Sequence, residues 1–585
     1  MKTITPILTE IVSDAFRQCG YEPSLGIVTS SDRLDLCQFQ CNGAFGGAKL
    51  YKKPPFVIAG EVAEKLREQP IFSKAEAFKP GFINLNLSDA YLLEAIRAVE
   101  TDACLGIPQA EQPETIVIDY GGPNAAKPLH IGHLRPAIIG EALKRLARSL
   151  GHRVIGDVHL GDWGLPMGLV IGELKLRHPQ WRCFASDFSP EKDPIPSLDT
   201  ASLNEIYPLA SKKSKEDPDF KALAHQITAE LQNGHSGYTA LWKKILPLSV
   251  EDMKKSYAQL NVEFDLWYGE SDSARYVNQL VDTLTQKGLL YNSEGALVVD
   301  VSLPEDKAPM PPIIVKKSDG SSIYATTDLA TIIQRQQDFS PNRIWYVVDK
   351  RQGLHFTQVF RCAKKAGLVS QETELFFLGN GTMNGSDGKP FKTRDGDVMP
   401  LSELLGTVSA SAAEKLKSSG FVAEDSQAET AQKVGIAAIK FGDLINHPTK
   451  DYIFDLDKFL SFEGKTGTYL LYMVTRMNSI LKTAAENGLV PGFHGVYTQS
   501  ERELLLKLLL TGEAFLYAFS EKSPSYICEN AYQIAALFSR FYHDNHILSE
   551  EDAEKKASWL ALVALTKRVL EKHLEVLAIQ PVEHM

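Results

Sequence analysis

Residues Thr115 to Gly151 read TIVIDYGGPNAAKPLHIGHLRPAIIGEALKRLARSLG. Thr115 to Tyr120 is a short apolar run rich in β-branched residues, which reads as a buried strand. Gly121-Gly122-Pro123-Asn124, and then Pro128, break regular structure. From about Gly132 the pattern turns helical. Leu134, Ile138, Ala142 and Leu146 share one face, flanked by Ile139 and Leu143. Gly151 stops the helix, and a second apolar run follows at Val154, Ile155 and Val158. Strand, loop, helix and strand in this order describe a parallel βαβ unit.

The loop carries His130-Ile131-Gly132-His133. Two histidines three apart at a helix start share a face beside the positive end of the helix dipole. Free backbone N–H groups there favour phosphate, and Gly132 allows a base or ribose close to the backbone. Each imidazole can donate to a phosphate oxygen as a pentavalent phosphorus forms. The alternative is a pair of ordinary surface histidines, and a tetrapeptide by itself does not decide between them.

Tyr120 to Arg135, Tyr-Gly-Gly-Pro-Asn-Ala-Ala-Lys-Pro-Leu-His-Ile-Gly-His-Leu-Arg, resembles the first signature of class I aminoacyl-tRNA synthetases in its arginyl-tRNA synthetase variant. That family usually has Ser or Ala at Gly121 and Gly122, and Ser-Thr at Pro136-Ala137. Pro136 falls in the first helical turn, where a missing N–H costs little. The family's His-x-Gly-Asp-Trp-Gly loop is matched by His159-Leu160-Gly161-Asp162-Trp163-Gly164, although Leu165-Pro166-Met167-Gly168 replaces the usual Thr-Gln-Phe-Gly.

With 585 residues, several domains are expected, with ordinary hydrophobic and charged fractions. No apolar run is long enough to cross a bilayer, and Met1 to Gly20 reads as an amphipathic helix rather than a leader. The seven cysteines lack paired CxxC spacing. Idle thiols in a reducing cytoplasm fit better than a metal or disulfide at Cys37 and Cys41. The net charge of −11 argues mildly against nucleic acid, without excluding it, because phosphate binding depends on local basic surface.

The fold class expected is α/β: an interrupted parallel Rossmann-like nucleotide-binding core, an α+β N-terminal module and an all-α C-terminal bundle. The expected boundaries are 1–110 for the module and 111–405 for the core, with an insertion at about 180–312. A connecting helical segment at 406–460 and a bundle at 461–585 complete the chain. In the module, a helix is expected near Gly60–Gln69 and a strand over Gly81–Leu87, after a glycine-rich stretch at Gly43, Gly46 and Gly47. Pro-Gly-Phe-Ile-Asn resembles the close of the family's N-terminal domain, which contacts the tRNA elbow. Phe39, Gln40 and Asn42 could stack on and hydrogen-bond an unpaired base, or pack for structure only. In the insertion a helix is expected over Leu231–Ala258, and further strands near Ile344–Val348 and Leu375–Leu378.

A guanidinium needs planar carboxylate partners, and Asp328 in Tyr324-Ala325-Thr326-Thr327-Asp328-Leu329 offers one. Tyr324 lies one helical turn earlier on the same face. This pattern is similar to the family's arginine-binding segment. By the same resemblance Asp119, Asn124 and Gln352 complete the pocket. The alternative for Asp328 is a helix cap before Leu329. Lys389 to Asp397 (Lys-Pro-Phe-Lys-Thr-Arg-Asp-Gly-Asp) is a glycine-flanked cationic loop suited to triphosphate. It resembles the class I Lys-Met-Ser-Lys loop, with Pro390 and Phe391 departing from it and Lys392 keeping the key cation. The alternative is an exposed basic loop.

The last third reads as helical, with stretches over Ala531–His543 and Trp559–Leu577, and it resembles the family's anticodon-binding bundle. Tyr542 and Met585 are the candidate contacts to an anticodon base, Tyr542 by stacking. The resemblance spans nearly the whole chain. It implies ATP-dependent activation of L-arginine to arginyl-adenylate, then transfer to the 3′-terminal adenosine of tRNA(Arg). His130, His133, Lys392 and Lys127 would be the catalytic groups. Gly132 and Lys389 would join His130, His133 and Lys392 around ATP. Mg²⁺ would come with the nucleotide without a dedicated protein cage. A cytoplasmic monomer is expected. Rival readings are a nucleotidyltransferase that uses no RNA, a non-catalytic tRNA-binding relative, and another class I synthetase.

Overall fold

The computed structural model describes residues 2–31, 33, 36–318, 323–389, 391, 399–419, 427–583 and 585. The first helix, Ile4–Gln18, buries Leu8, Val12 and Phe16 at the expected spacing. Behind it lies a four-stranded antiparallel sheet of β1 (Val28–Ser30), β2 (Phe39–Cys41), β3 (Phe72–Phe78) and β4 (Phe82–Leu87), in the order β1-β2-β4-β3. The glycine-rich stretch is a helix, Gly43–Tyr51, because packing overrides propensity there. A Cβ on Gly43 would lie 1.7 Å from the Leu25 carbonyl oxygen, so only a bare backbone fits. The helix expected near Gly60–Gln69 runs over Pro55–Arg67, with proline in its first turn.

At the centre, β5 (Thr115–Tyr120) and β6 (Arg153–Asp157) are joined by the helix Leu134–Ser149. The helix ends where expected: Gly151 turns the chain at φ 87°, and the His152 amide donates to the Ala147 carbonyl. An insertion of helices follows, Thr200–Glu216, Pro218–Gln232 and Ser236–Gln259. The single helix expected over Leu231–Ala258 is therefore two. Gly234 at φ 84° breaks it, and the His235 ring starts the second by accepting from the Tyr238 amide at 3.3 Å. A small antiparallel sheet of β7 (Leu290–Ser293), β8 (Ala296–Val299) and β9 (Ile313–Lys316) closes the insertion. The core resumes with helix Tyr324–Phe339, β10 (Arg343–Asp349), helix Gly353–Lys365 and β11 (Glu374–Asn380). Two short strands, β12 (Met383–Asn384) and β13 (Tyr452–Ile453), then pair in parallel.

All pairings in the central sheet are parallel, and its order is β11-β10-β5-β6. The chain leaves β5 toward β6 on one side and leaves β10 toward β11 on the other. That makes the space between β5 and β10 the topological switch point, where ligands of such sheets bind beyond the strands' carboxyl ends. Alternation along β5 sends Ile116, Ile118 and Tyr120 into the core shared with Leu134–Ser149, and Val117 and Asp119 to the face covered by Tyr324–Phe339.

The rest is helical, including Leu401–Ser419, Gln427–Leu444, Gly467–Glu486, Ser525–Asp544 and Ala553–Val576. Buried Lys440 donates to the carbonyls of Leu260 (2.6 Å) and Ala578 (2.7 Å). The N-terminal module rests on this bundle through Arg502–Asp89 at 2.7 Å and an Arg97 hydrogen bond to the Phe493 carbonyl. No described helix is long and apolar enough to cross a membrane.

Helix Leu134–Ser149 sits against β5 because Gly140 has no side chain. A Cβ there would lie 2.2 Å from Cγ of the fully buried Tyr120. Gly140→Ala is expected to destabilise the protein by about 1–3 kcal/mol through overpacking, read as a lower thermal midpoint. An unchanged midpoint would show that the contact is slack.

Candidate active site

Each of the four parallel strands ends in a loop that carries one of the segments singled out above. After β5 comes the histidine loop. His130 caps a single 3-10 turn, Ile131–His133, that leads into Leu134–Ser149. Its Nδ1 accepts from the Gly132 amide at 3.1 Å, and the His133 Nδ1 accepts from the His130 amide at 3.0 Å. Both Nδ1 atoms are thus acceptors, so each neutral ring carries its proton on Nε2. The rings lie 4.0 Å apart between centroids. Burial, with Lys127 adding to it, holds His130 down at about 4; burial, His130 and Lys127 hold His133 well below the usual histidine range. Burial also lowers Lys127. The site therefore presents two uncharged N–H donors at neutral pH. Gly132 is needed because the His130 ring folds over it, leaving 2.9 Å to a built Cβ.

Asn124, from the same loop, bridges to Gly161 in the loop after β6. A Cβ on Gly161 would meet the Asn124 Oδ1 at 2.2 Å. In that second loop His159 is held at φ 41°, with its Nδ1 buried and without a hydrogen-bond partner among the described residues. Asp162 is buried and accepts from the amide (3.0 Å) and hydroxyl (2.6 Å) of Ser271. Trp163 packs edge-on to Trp242, which donates to the Asp162 carbonyl at 3.0 Å.

Helix Tyr324–Phe339 begins at Tyr324, with Ile323 as its N-cap residue, so Asp328 lies in the second turn and caps nothing. Tyr324, Asp328 and Arg335 follow one another along one face. Asp328 Oδ2 is 2.5 Å from Nε2 of His355. The Tyr324 ring is exposed. Its hydroxyl lies 4.0 Å, and the Glu270 Oε2 lies 3.8 Å, from a Cβ built on Gly164. Arg335 is fully buried and its Nη2 bridges Asp119 Oδ2 (2.6 Å) and Asp157 Oδ2 (2.7 Å). The Asp119 oxygen expected to face arginine is thus taken by Arg335, an internal guanidinium. Gln352 ends the exposed turn Lys350–Gln352 after β10.

Sequence reading missed Glu270 and His355. Glu270 is buried among carboxylates, and burial first, then Asp162 and Asp328, raise it to about 7 despite His159. Among the described residues Glu270 makes no ion pair. Neither residue belongs to a recognisable short pattern, which left no signal to find them by.

The loop after β11 begins with β12 and carries Lys389, which is exposed. Lys392 lies outside the described residues. Beyond it, the chain returns to the histidine loop: the Ile131 amide donates to the Met399 carbonyl (3.1 Å) and the Leu401 amide to the Leu129 carbonyl (3.0 Å). Away from this centre, Gln40 is half-buried and donates to Asn84 at 2.9 Å, while Asn42 is exposed. Phe39 corrects an expectation. Alternation in β2 turns its ring wholly into the core, where no base can stack on it. Met585 is likewise buried, whereas Tyr542 is exposed beside Arg476, whose guanidinium sits 5.0 Å from its ring centroid.

Comparison with known proteins agrees with this layout. Residues 96–456 match the family model for the class I tRNA synthetase (R) catalytic domain, residues 470–585 the DALR anticodon binding domain and residues 3–87 the arginyl tRNA synthetase N terminal domain. The chain belongs to the arginyl-tRNA synthetase family. An arginine–tRNA ligase of Alkaliphilus oremlandii is 49% identical over 100% of both chains, and one of Agathobacter rectalis is 45% identical over the same share. Among solved structures, the arginyl-tRNA synthetase of Plasmodium falciparum superposes with a TM-score of 0.80 at 24% identity, covering 100% of this chain and 99% of that one. The Thermus thermophilus arginyl-tRNA synthetase gives 0.77 at 22% identity over 100% of both chains. These two share the fold. The family's N-terminal, catalytic and anticodon-binding parts all occur in this chain.

The imidazoles give a pH signature. Both stay neutral in the fold but protonate near 6.5 once unfolded, so the unfolded chain binds more protons below that pH. Stability is expected to fall as pH drops from about 6.5 toward 4. NMR titration of the His130 ring should give a midpoint near 4; a midpoint near 6.5 would show that the pair is solvated.

Proposed function

We infer that the groups gathered at the carboxyl ends of the central sheet carry out arginine activation and transfer. The chain is an arginine–tRNA ligase that uses ATP. In the first step a carboxylate oxygen of arginine attacks the α-phosphorus of ATP. The bond to the bridging oxygen breaks, and arginyl-adenylate and pyrophosphate result. In the second step a ribose hydroxyl of the 3′-terminal adenosine attacks the arginyl carbonyl and AMP leaves.

The observation that carries the assignment is that all four parallel strands send their loops from the same carboxyl edge, with the histidine loop bridged to the loop after β6 through Asn124 and Gly161 and tied to Met399 and Leu401. His130 and His133 donate through Nε2–H to oxygens of the phosphate as negative charge grows on it, and as neutral donors they need no proton from solvent. Lys127 supplies charge beside them. We assign Lys389 and Lys392 to the outer phosphates, and Gly132 to close approach of the nucleotide.

For arginine we propose Asp328 and Glu270 as the carboxylates that grip the guanidinium, with Tyr324 as a hydroxyl and wall. Asn124 and Gln352 serve the amino-acid end. Asp119 contributes through Arg335, because its Oδ2 already serves that residue. For tRNA we propose Gln40 and Asn42 at the elbow and Tyr542 at the anticodon, with Phe39 and Met585 left in their cores. We place Mg²⁺ on the nucleotide. Among the described residues no group of three or more His, Cys, Asp or Glu is set to cage a metal, and this ion is commonly held by phosphate and water. No step above depends on it. We further propose a cytoplasmic monomer, a location in keeping with seven unpaired cysteines.

The domain limits proposed are 1–110, 111–405, 406–460 and 461–585, with the insertion at about 180–312.

His133→Ala is expected to slow arginine-dependent ATP–pyrophosphate exchange, measured with tRNA present, by about 10²–10³ while arginine affinity stays nearly constant. Unchanged exchange would remove His133 from the chemistry. Asp328→Ala should raise the arginine Michaelis constant strongly, since it leaves a guanidinium unpaired. Glu270 adds a pH test. Its carboxyl titrates near 7 in the free site, and arginine favours the charged form. Arginine affinity should therefore weaken by up to about tenfold per pH unit below 7, and Glu270→Gln should abolish that slope. A slope that survives the substitution would exclude Glu270.

A further inference from the structure

Arg135 follows the histidine pair directly, at the second position of Leu134–Ser149, and its side chain is 3% exposed. Its Nε forms an ion pair at 2.9 Å with Oδ2 of Asp443, which is wholly buried on helix Gln427–Leu444. Its Nη1 donates to the Lys450 carbonyl at 2.9 Å, and its guanidinium lies 5.0 Å from the centroid of Tyr452. One side chain thus ties the start of the histidine-bearing helix to a distant helix and to the segment that leads into β13.

That segment is itself locked to β12. The Tyr452 amide donates to the Thr382 carbonyl (3.1 Å) and the Phe454 amide to the Asn384 carbonyl (2.9 Å). The backbones approach so closely that a Cβ on Gly381 would lie 2.4 Å from the Lys450 carbonyl carbon. Lys350 and Asp451 pair at 2.6 Å and fasten the same segment to the end of β10. On its other side the histidine loop is held by the two hydrogen bonds to Met399 and Leu401 described above.

A buried ion pair is not what stability alone calls for at such a place. Apolar side chains of similar volume commonly serve as well or better, because two charges need not be stripped of water. What a guanidinium adds is a second contact from one planar group: Nη1 donates to the Lys450 carbonyl while Nε faces Asp443 in an ion pair without hydrogen-bond alignment, a combination that neither an apolar chain nor a lysine provides.

We propose that Arg135 and Asp443 are positioning residues for arginine activation: their ion pair sets where the His130 and His133 rings stand relative to the β12–β13 strand pair. The inference rests on the reading that these imidazoles act on the phosphates. The side chains of Arg135 and Asp443 are both buried, 3% and 0% exposed. Their effect runs through the first turn of the helix, where a displacement of about 1 Å is enough to cost roughly 10²-fold in rate.

The test uses the full-length protein with tRNA, in arginine-dependent ATP–pyrophosphate exchange. The double variant Arg135→Met, Asp443→Leu leaves no buried charge unpaired and should melt close to the parent. The expected result is a kcat lowered about 10- to 100-fold, with the arginine KM within about twofold because the guanidinium pocket is untouched. Arg135→Lys, which keeps the charge but not the fork, should also be slow at a temperature well below its melting point. Parental kcat in either folded variant would overturn the proposal, and Arg135→Lys decides if the double variant does not fold. His133→Ala run alongside separates the two levels. If it is slow while the Arg135 variants are fast, positioning alone fails; if it too is fast, the role of the imidazoles fails.

Discussion

Asp119 and Asp157 stand opposite each other on neighbouring parallel strands, inside the protein, and a single guanidinium makes that arrangement tolerable. Two buried carboxylates in register repel strongly in a medium of low polarity. Burial works to strip the proton from Arg335, but Asp119, Tyr346 and Asp157 outweigh it and keep the side chain charged. Arg335 reaches them from the helix that bears Tyr324 and Asp328. The pocket wall and the floor of the sheet are therefore one electrostatic unit, and the helix cannot rotate or slide without exposing an unbalanced charge.

This constraint explains how a chain interrupted by a long insertion still forms one site. The two halves of the parallel sheet come from residues near 115–157 and 343–380. Main-chain pairing of β5 with β10 joins them along one edge, and Arg335 joins them again across the face. The insertion itself contributes Glu270 as it re-enters the core. Elsewhere the bundle is pressed onto the lower edge of the same sheet, where Phe519 stacks on His152 and Lys522 pairs with Glu374. The N-terminal module is held in turn by the bundle, so module, core and bundle form a continuous packed body.

Much of the fold was legible in local pattern. The strand at Thr115–Tyr120 has the limits that its β-branched run suggested, and the helix after it ends at Gly151 as a left-handed glycine requires. The histidine turn could be placed because its punctuation is local. Glu270 and His355 could not, since their meaning arises only when residues far apart in sequence are folded together. Phe39 was left open between stacking on a base and packing for structure, for a different reason. Its aromatic ring suggested stacking, but a three-residue strand gives too little alternation to tell the inner face from the outer. The glycines at Gly43–Gly47 mark close packing against Leu25 within a helix. At Gly234 the break in the helix was present in Asn233-Gly234-His235, which is a common way for a helix to stop.

Lys440 holds a carbonyl from residue 260 and another from residue 578, and burial brings its ammonium down to about 7. A ribosome makes these three partners in order, so the lysine emerges with its second acceptor still unmade. Enclosing an ammonium with half of its acceptors missing is unfavourable. During synthesis, then, the surroundings of Lys440 on helix Gln427–Leu444 cannot close until the segment that carries Ala578 has been made.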